Sequence, residues 1–314
     1  MTEEFIHNPV LGREVVELLT EVPAGTVVDA TAGGGGHAGL LLAARPDIQI
    51  LGIDRDEVAV QAAREALAPF GQRAQIVHGG FERITEIVKT EIAEREIVGV
   101  LFDLGVSSPQ LDRADRGFSY WADAPLDMRM DSQQELTAAT VVNTYDEAEL
   151  AEVISSNGEE RFASRIAGEI VKRRPLQTTG DLVEAIKAAI PAPARRRGGH
   201  PARRSFQAIR MEVNRELPNL EAGLGESVHL VSTSGRILVL AYHSLEDRIV
   251  KKRFAEWSGS SPTRTYVRKG LPAPDAPTAS VRLLTRRPIR ASEAEVTRNP
   301  RSQSVRLRCV ERIA

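Results

Sequence analysis

The feature that most restricts the fold is an alternation in the first third of the chain. Short apolar runs give way, again and again, to longer amphipathic stretches. "TVVDA" (26–30) is followed by "GHAGLLLAAR", "IQILGID" (48–54) by "DEVAVQAAREALAPF", and "AQIVHGG" (74–80) by "FERITEIVKTEIAE". A fourth run, "IVGVLFDLGVSS", covers 97–108. Runs that are apolar at successive positions predict strands covered on both faces. The strand–helix–strand order predicts a parallel sheet with right-handed crossovers, an α/β fold.

The rhythm then stops. Residues 113–214 contain no convincing strand, while "YDEAELAEVISSNG", "EERFASRIAGEIVKRR", "TTGDLVEAIKAAI" and "SFQAIRMEVNRELPNLEAGLGESVHLV" have helical periodicity. Thr179 or Asp181 is expected to cap one of these helices and Ser205 another. Alternation resumes with a strand at "GRILVLAYHS" (235–244), a helix at "LEDRIVKKRFAEW" and a last strand at "SVRLRCVERI". The expected organisation is a discontinuous α/β domain, 1–112 with 215–314, interrupted by a helical domain at 113–214. The Pro-, Ser- and Gly-rich stretch 258–280 reads as a loop.

The net charge of −2 conceals an asymmetry. Basic residues outnumber acidic ones about two to one from Ser155 to Arg215, and more steeply from Arg248 onward. Such a distribution suits one face meeting a polyanion. Cys309 is the only cysteine, so a disulfide framework and a cysteine-rich zinc site are excluded. No apolar run approaches the roughly 18 residues that span a bilayer, and the N-terminus has no charged-then-apolar leader pattern. No membrane partner is expected, and the expected location is the cytoplasm.

"VVDATAGGGGHAG" (27–39) places four glycines between a strand and a helix. Gly34-x-Gly36-x-x-Gly39 has the spacing of a dinucleotide fingerprint, with Asp54 at about the distance of its ribose-binding acid. Asp29, however, ends the strand before the glycines. A carboxylate there repels a pyrophosphate and suits a cationic cofactor such as S-adenosylmethionine (SAM), which carries an ammonium and a sulfonium. Asp54 can accept from both ribose hydroxyls, and Phe81 can stack on adenine. Asp103 ends the fourth strand, so Asp29, Asp54 and Asp103 are expected to line the C-terminal edge of the sheet, where ligands of such folds bind. A dehydrogenase using the glycine fingerprint is the rival reading.

Several longer stretches sharpen this. "HNPVL", "DATAGGGGH", "GIDRD", "FDLGVSSPQLD", "RGFSY", "PLDMRMD", "AYHSLEDRIVK" and "NPRSQSVRLR" together resemble the RsmH (MraW) family of bacterial SAM-dependent methyltransferases that act on small-subunit ribosomal RNA. The motifs run in the family's order over almost the whole chain. The resemblance implies a Rossmann-like SAM-methyltransferase sheet with an inserted all-helical domain. It implies methylation of the exocyclic N4 of a cytidine in the decoding region of 16S rRNA within the small ribosomal subunit. It places SAM contacts on Gly35, Gly36, His37, Asp54, Phe81, Asp103 and Gln110; the residues themselves add Asp29 and Gly34.

The chemistry of the remaining residues is compatible with this. Methyl transfer to an amine is an in-line displacement that depends on positioning. Ser107 and Ser108, with carbonyls held by Pro109, offer acceptors for a cytosine amino group. Ring-carbon methylation instead needs a cysteine nucleophile, and Cys309 sits in the last expected strand, far along the chain from that loop. Tyr242 is a candidate to stack on the target base and His243 to bond it or shuttle a proton. Glu246, Asp247 and Arg248 read as capping or pairing within the helix that follows. Arg116, Arg129, Arg203, Arg204 and Arg301 are the candidate RNA contacts. No metal ligand set is expected. The chain is read as a monomer or homodimer, and a non-catalytic RNA-binding assembly factor is the second rival reading.

Overall fold

A computed structural model describes residues 9–93, 95–107, 110, 113–195, 199–260 and 278–313. The chain forms two compact units, Met1–Gly105 with Asn219–Ala314, and Val106–Pro218. These divisions lie a few residues outside the breaks in sequence rhythm.

The first unit is built on β1 (Gly25–Asp29), β2 (Ile48–Asp54), β3 (Ala74–His78) and β4 (Ile97–Asp103). Each is followed by a helix or turn: α2 (Gly36–Ala44), α3 (Glu57–Leu67) and α4 (Ile84–Glu91) cross between them, and α1 (Gly12–Leu19) precedes them. β5 (Val231–Ala241), α11 (Ser244–Trp257), β6 (Val281–Leu283), α12 (Glu293–Arg298) and β7 (Arg306–Arg312) complete the unit. The described strands form one sheet in the order β3-β2-β1-β4-β5-β7-β6. β1 to β5 pair in parallel, whereas β7 runs antiparallel to both β5 and β6. β1 and β4 are buried over nearly all their length, because helices cover both faces.

Register decides where the acids go. Asp29 pairs with Gly52 of β2 and Leu101 of β4, Asp54 with His78, and Asp103 with Leu240. Three neighbouring parallel strands therefore end in carboxylates on one edge. The strand order reverses direction between β1 and β4, the point at which open α/β sheets bind ligands.

The second unit packs α5 (Ala138–Thr144), α6 (Glu147–Gly158), α7 (Ala163–Arg173), α8 (Thr179–Ala189) and α9 (Arg203–Asn214) around a core of its own, including Leu150, Ile154, Ile166, Ile170, Ile186, Phe206 and Ile209. α10 (Glu216–Leu230) leads out of it toward β5. The single long helix expected over 205–231 is in fact two, α9 and α10. They are separated by Arg215 in the left-handed region (φ 49°). Pro218 is the reason: inside a continuous helix it would lack the N–H owed to the carbonyl of Asn214. In the first turn of a new helix no such donor is needed.

Capping differs from expectation in the same way. Thr178, not Thr179, caps α8, with Asp181 completing the capping box. Thr179 instead bridges Ala122 and Ala124 by its hydroxyl. Ser205 is not a cap but a buried residue of α9 whose Oγ has no hydrogen-bond partner among the described residues. The strand expected at 235–244 begins at Val231 and ends at Ala241, because His243 is already the cap of α11. Most of the proline- and serine-rich stretch, 261–277, lies outside the described residues.

Candidate active site

The glycine loop follows β1 and is tied down on both sides. Ala30 N–H donates to Leu101 O of β4 and Ala32 N–H to Ile53 O of β2. Gly33 (φ +52°) and Gly35 (φ +81°) are left-handed, which a side chain at either position would resist. Gly35 caps α2 and Gly36 opens it. A Cβ at Gly34 would meet nothing within 4 Å, so the loop has open space over its middle.

The three acids are set in different surroundings. Asp29 is 2% exposed. Its carboxylate accepts one long hydrogen bond, 3.3 Å from Thr31 N–H, and among the described residues no arginine or lysine pairs with it. Burial pushes its pKa up to about 6; nearby His37 opposes the rise, and Asp103 and Asp54 add to it. Asp54 accepts from Gly33 N–H at 2.8 Å and from Asp56 N–H at 2.8 Å, one to each oxygen. Burial raises its pKa too, against the pull of those two amides. Asp54 thus shapes the glycine loop and keeps a second lone pair on each oxygen for another donor.

Asp103 is half-buried and held from two sides. Tyr242 donates its hydroxyl to Oδ1 at 2.7 Å, and His37 Nδ1 lies 3.5 Å from Oδ2. His37 is buried, with Nε2 2.9 Å from Val10 O. Thr31 Oγ1 accepts from Asp103 N–H at 2.6 Å, joining the glycine loop to the end of β4. The Tyr242 phenol is correspondingly shifted upward, by burial first and by Asp103 second.

Phe81 is half-buried. Its ring meets Phe102 edge-on at 5.6 Å, with the Arg55 guanidinium 5.9 Å from its centroid. Gly223 of α10 lies so close that a Cβ there would be 2.8 Å from the Phe81 ring. Gln110 belongs to the second unit; it is buried and accepts from Ser107 N–H at 3.0 Å. Ser108 and Pro109 lie outside the described residues.

A family-wide sequence model, the MraW methylase family, matches residues 4–313. The chain belongs to that family. Named relatives agree over nearly the whole length, each called ribosomal RNA small subunit methyltransferase H. That of Symbiobacterium thermophilum is 49% identical over 319 residues, covering 98% of this chain and 97% of the relative. That of Mycobacterium sp. (strain KMS) is 51% identical over 319 residues, covering 98% and 84%. That of Thermobifida fusca is 49% identical over 312 residues, covering 98% and 93%. MraW methylases are SAM-dependent methyltransferases, so this chain is an enzyme with a Rossmann-like sheet and SAM as its cofactor.

The site suits that cofactor on its own terms. A buried carboxylate that no arginine or lysine among the described residues pairs with, next to an uncrowded glycine loop, invites a cationic donor. The dehydrogenase reading fails here: the family match assigns SAM, and the carboxylates of Asp29, Asp54 and Asp103 crowd the edge where a pyrophosphate would have to sit.

The sequence reading and the structure part company at several side chains. Tyr242 does not offer an exposed face; its hydroxyl is committed to Asp103. The partner lies 139 residues away in the chain, and no local signal announces it. His243 caps α11, its Nδ1 accepting from Glu246 N–H at 3.4 Å. Its Nε2 lies 3.1 Å from Glu246 Oε1, off the line of a hydrogen bond, and is buried without a hydrogen-bond partner among the described residues. Glu246 is the capping residue expected, but Asp247 pairs outside its helix, with Arg308 at 2.7 Å and Arg306 at 3.7 Å on β7.

The arginines divide as well. Arg129 gives Nε and Nη2 to Asp127 and Nη1 to the carbonyls of Ser132 and Gln134. Arg116 donates to the carbonyls of Arg129 and Met130 and lies 5.9 Å from the Phe118 ring. These two organise the loop "RGFSYWADAPLDMRMD" instead of presenting open forks. Arg203, Arg204 and Arg301 are exposed. Arg204 donates to Glu159 O at 3.1 Å.

Proposed function

We propose that this protein transfers a methyl group from SAM to the exocyclic N4 of a cytidine in the decoding region of 16S rRNA, in the cytoplasm. When bound, SAM supplies an electrophilic methyl carried on a sulfonium. The observation that carries the cofactor assignment is Asp29, a buried acid at the C-terminal end of β1 that no arginine or lysine among the described residues pairs with. Asp29 holds the amine of the donor, Asp54 its ribose hydroxyls and Phe81 its adenine, with the loop Gly34–Gly36 letting the ligand approach the backbone. His37 and Tyr242 fix the carboxylate of Asp103. Gln110 belongs to the same set by family resemblance. The substrate assignment is supported by the names of the relatives.

Nitrogen is favoured over ring carbon by the chain's single thiol. Cys309 is fully buried in β7, and burial pushes its pKa up to about 12, so no thiolate is at hand to attack a cytosine ring. The N4 lone pair attacks directly: the N–C bond forms as the C–S bond breaks, and the resulting ammonium loses its proton to water. Ser108 orients the amino group, and His243, whose Nδ1 accepts from Glu246 N–H and whose Nε2 therefore carries the ring proton, can donate a hydrogen bond to the base. Positioning supplies most of the acceleration. The target base must be unstacked for such an attack. Arg203, Arg204 and Arg301 contribute phosphate contacts, while Arg116 and Arg129 act through the loop they brace.

Mass spectrometry of rRNA nucleosides from cells with and without the protein tests this. Loss of N4-methylated cytidine is expected. An unchanged N4 signal with a vanished ring-carbon methyl would refute the nitrogen mechanism.

A further inference from the structure

The second unit carries a group of rings at its surface that methyl transfer does not use. Tyr120 and His200 stack with centroids 4.6 Å apart and 12° between their planes. Trp121 leans on both, 5.4 Å from Tyr120 and 4.7 Å from His200. Behind them Phe206, part of the unit's core, meets Tyr120 edge-on at 5.7 Å. The outermost ring remains in solvent. Trp121 is 77% exposed, far more than Leu40, Val58 or Ile313, the other exposed large apolar side chains among the described residues.

The rings are held in place. The Trp121 backbone N–H donates to Ser119 Oγ at 3.2 Å, fixing the main chain from which the indole projects. His200 Nδ1 accepts from Ala202 N–H at 3.3 Å, which puts the ring proton on Nε2. Burial and the charge of Lys187 lower the His200 pKa, so the imidazole is a neutral stacking partner at pH 7. Next to it is a shallow, open depression lined by Lys187, Ala192, Arg195 and Pro201. Pro201 follows His200 directly. Among the described residues Lys187 pairs only with exposed Glu184, at 2.8 Å, a contact of small worth that a phosphate can displace.

We propose that this surface is a nucleobase platform: an unpaired RNA base stacks on Trp121, and its flanking phosphate sits over Lys187 and Arg195. A pre-formed aromatic face beside two cations is the arrangement that binds single-stranded nucleic acid without reading its sequence. The platform rests on the RNA substrate argued above and adds a contact outside the SAM-binding unit.

The test uses the full-length protein and a labelled single-stranded oligoribonucleotide, in base-bearing and abasic forms with equal numbers of phosphates. Trp121→Ala should weaken binding of the base-bearing strand roughly 5- to 100-fold, and Trp121→Phe should restore most of it. Wild type should prefer the base-bearing strand, and Trp121→Ala should not. Lys187→Ala and Arg195→Ala should each weaken both strands and lower the salt slope by about one. SAM affinity should be unchanged throughout. Equal affinity of wild type and Trp121→Ala for the base-bearing strand would overturn the platform. So would unchanged oligonucleotide binding with weakened binding to intact small subunits, which would mark a protein-docking surface. Methyl incorporation by wild type into unmodified small subunits is measured alongside. Its absence would sink the substrate reading, whereas incorporation with an indifferent Trp121 would sink the platform alone.

Discussion

Asp29 shows how one buried group links stability to ligand binding. An ordinary aspartate titrates near 3.9, and Asp29 is pushed up to about 6. The folded protein therefore binds this proton more tightly than the unfolded chain does. The penalty for ionising Asp29 is absent below about pH 4, grows as pH rises to about 6, and is then on the order of 3 kcal/mol. Asp29→Asn should accordingly melt at a higher temperature than wild type at pH 8 without ligand, and show no such gain at pH 4. A cationic amine beside the carboxylate favours the ionised form, so SAM affinity should rise with pH through about 6 and then level off. Calorimetric titration of Asp29→Asn should show that pH dependence flattened and affinity lower by roughly 10- to 100-fold, the worth of a charge-assisted hydrogen bond. If Asp29→Asn kept wild-type affinity across the pH range, Asp29 would be removed from the site.

At the scale of elements, α11 and β7 separate structural from chemical roles. Glu246 is buried and accepts from Tyr242 N–H at 2.8 Å and His243 N–H at 3.1 Å, while His243 returns a bond to Glu246 N–H. Removing the carboxylate takes the partner from two part-buried amides. Glu246→Ala should lose about 2–3 kcal/mol in denaturant unfolding. Asparagine is a good N-cap, so His243→Asn should keep the helix start and melt within a degree or two of wild type. If the His243 ring serves catalysis, the same variant loses kcat; full activity would leave His243 only its cap. In β7, Cys309 is a packed thiol and not a nucleophile. Cys309→Ala should leave methyl transfer intact and cost about 1 kcal/mol, the loss of one small buried group. An inactive but folded Cys309→Ala would reopen ring-carbon chemistry.

At the scale of the whole molecule, the two units have separate cores, and the proposed SAM ligands other than Gln110 all lie in the first. A ligand bound only by the native state stabilises by about 2.7 kcal/mol at a hundred times its dissociation constant. Hydrogen exchange with saturating SAM should therefore gain protection in the glycine loop and at the ends of β1, β2 and β4, with little change in α6 to α8. Equal gains in α6 to α8 would contradict that placement. Much of this architecture is legible in the sequence, because it rests on local rules. Continuous apolar runs mark strands buried on both faces, glycines mark the left-handed turns at Gly33 and Gly35, and the acids that end β1, β2 and β4 are carried to one edge once the strands are parallel. The break between α9 and α10 is legible in retrospect from Pro218. The sequence by itself determined which side chains reach the edge of the sheet. Only the tertiary structure decided which of them still have something to give. Asp29 has no arginine or lysine paired with it among the described residues, Tyr242 is spent on Asp103 from 139 residues away, Arg129 is consumed by its own loop, and Trp121 joins a ring 79 residues distant at His200. The reason is physical. Backbone conformation follows near neighbours, whereas the availability of a polar or aromatic group depends on burial and on partners that distant parts of the chain bring to it.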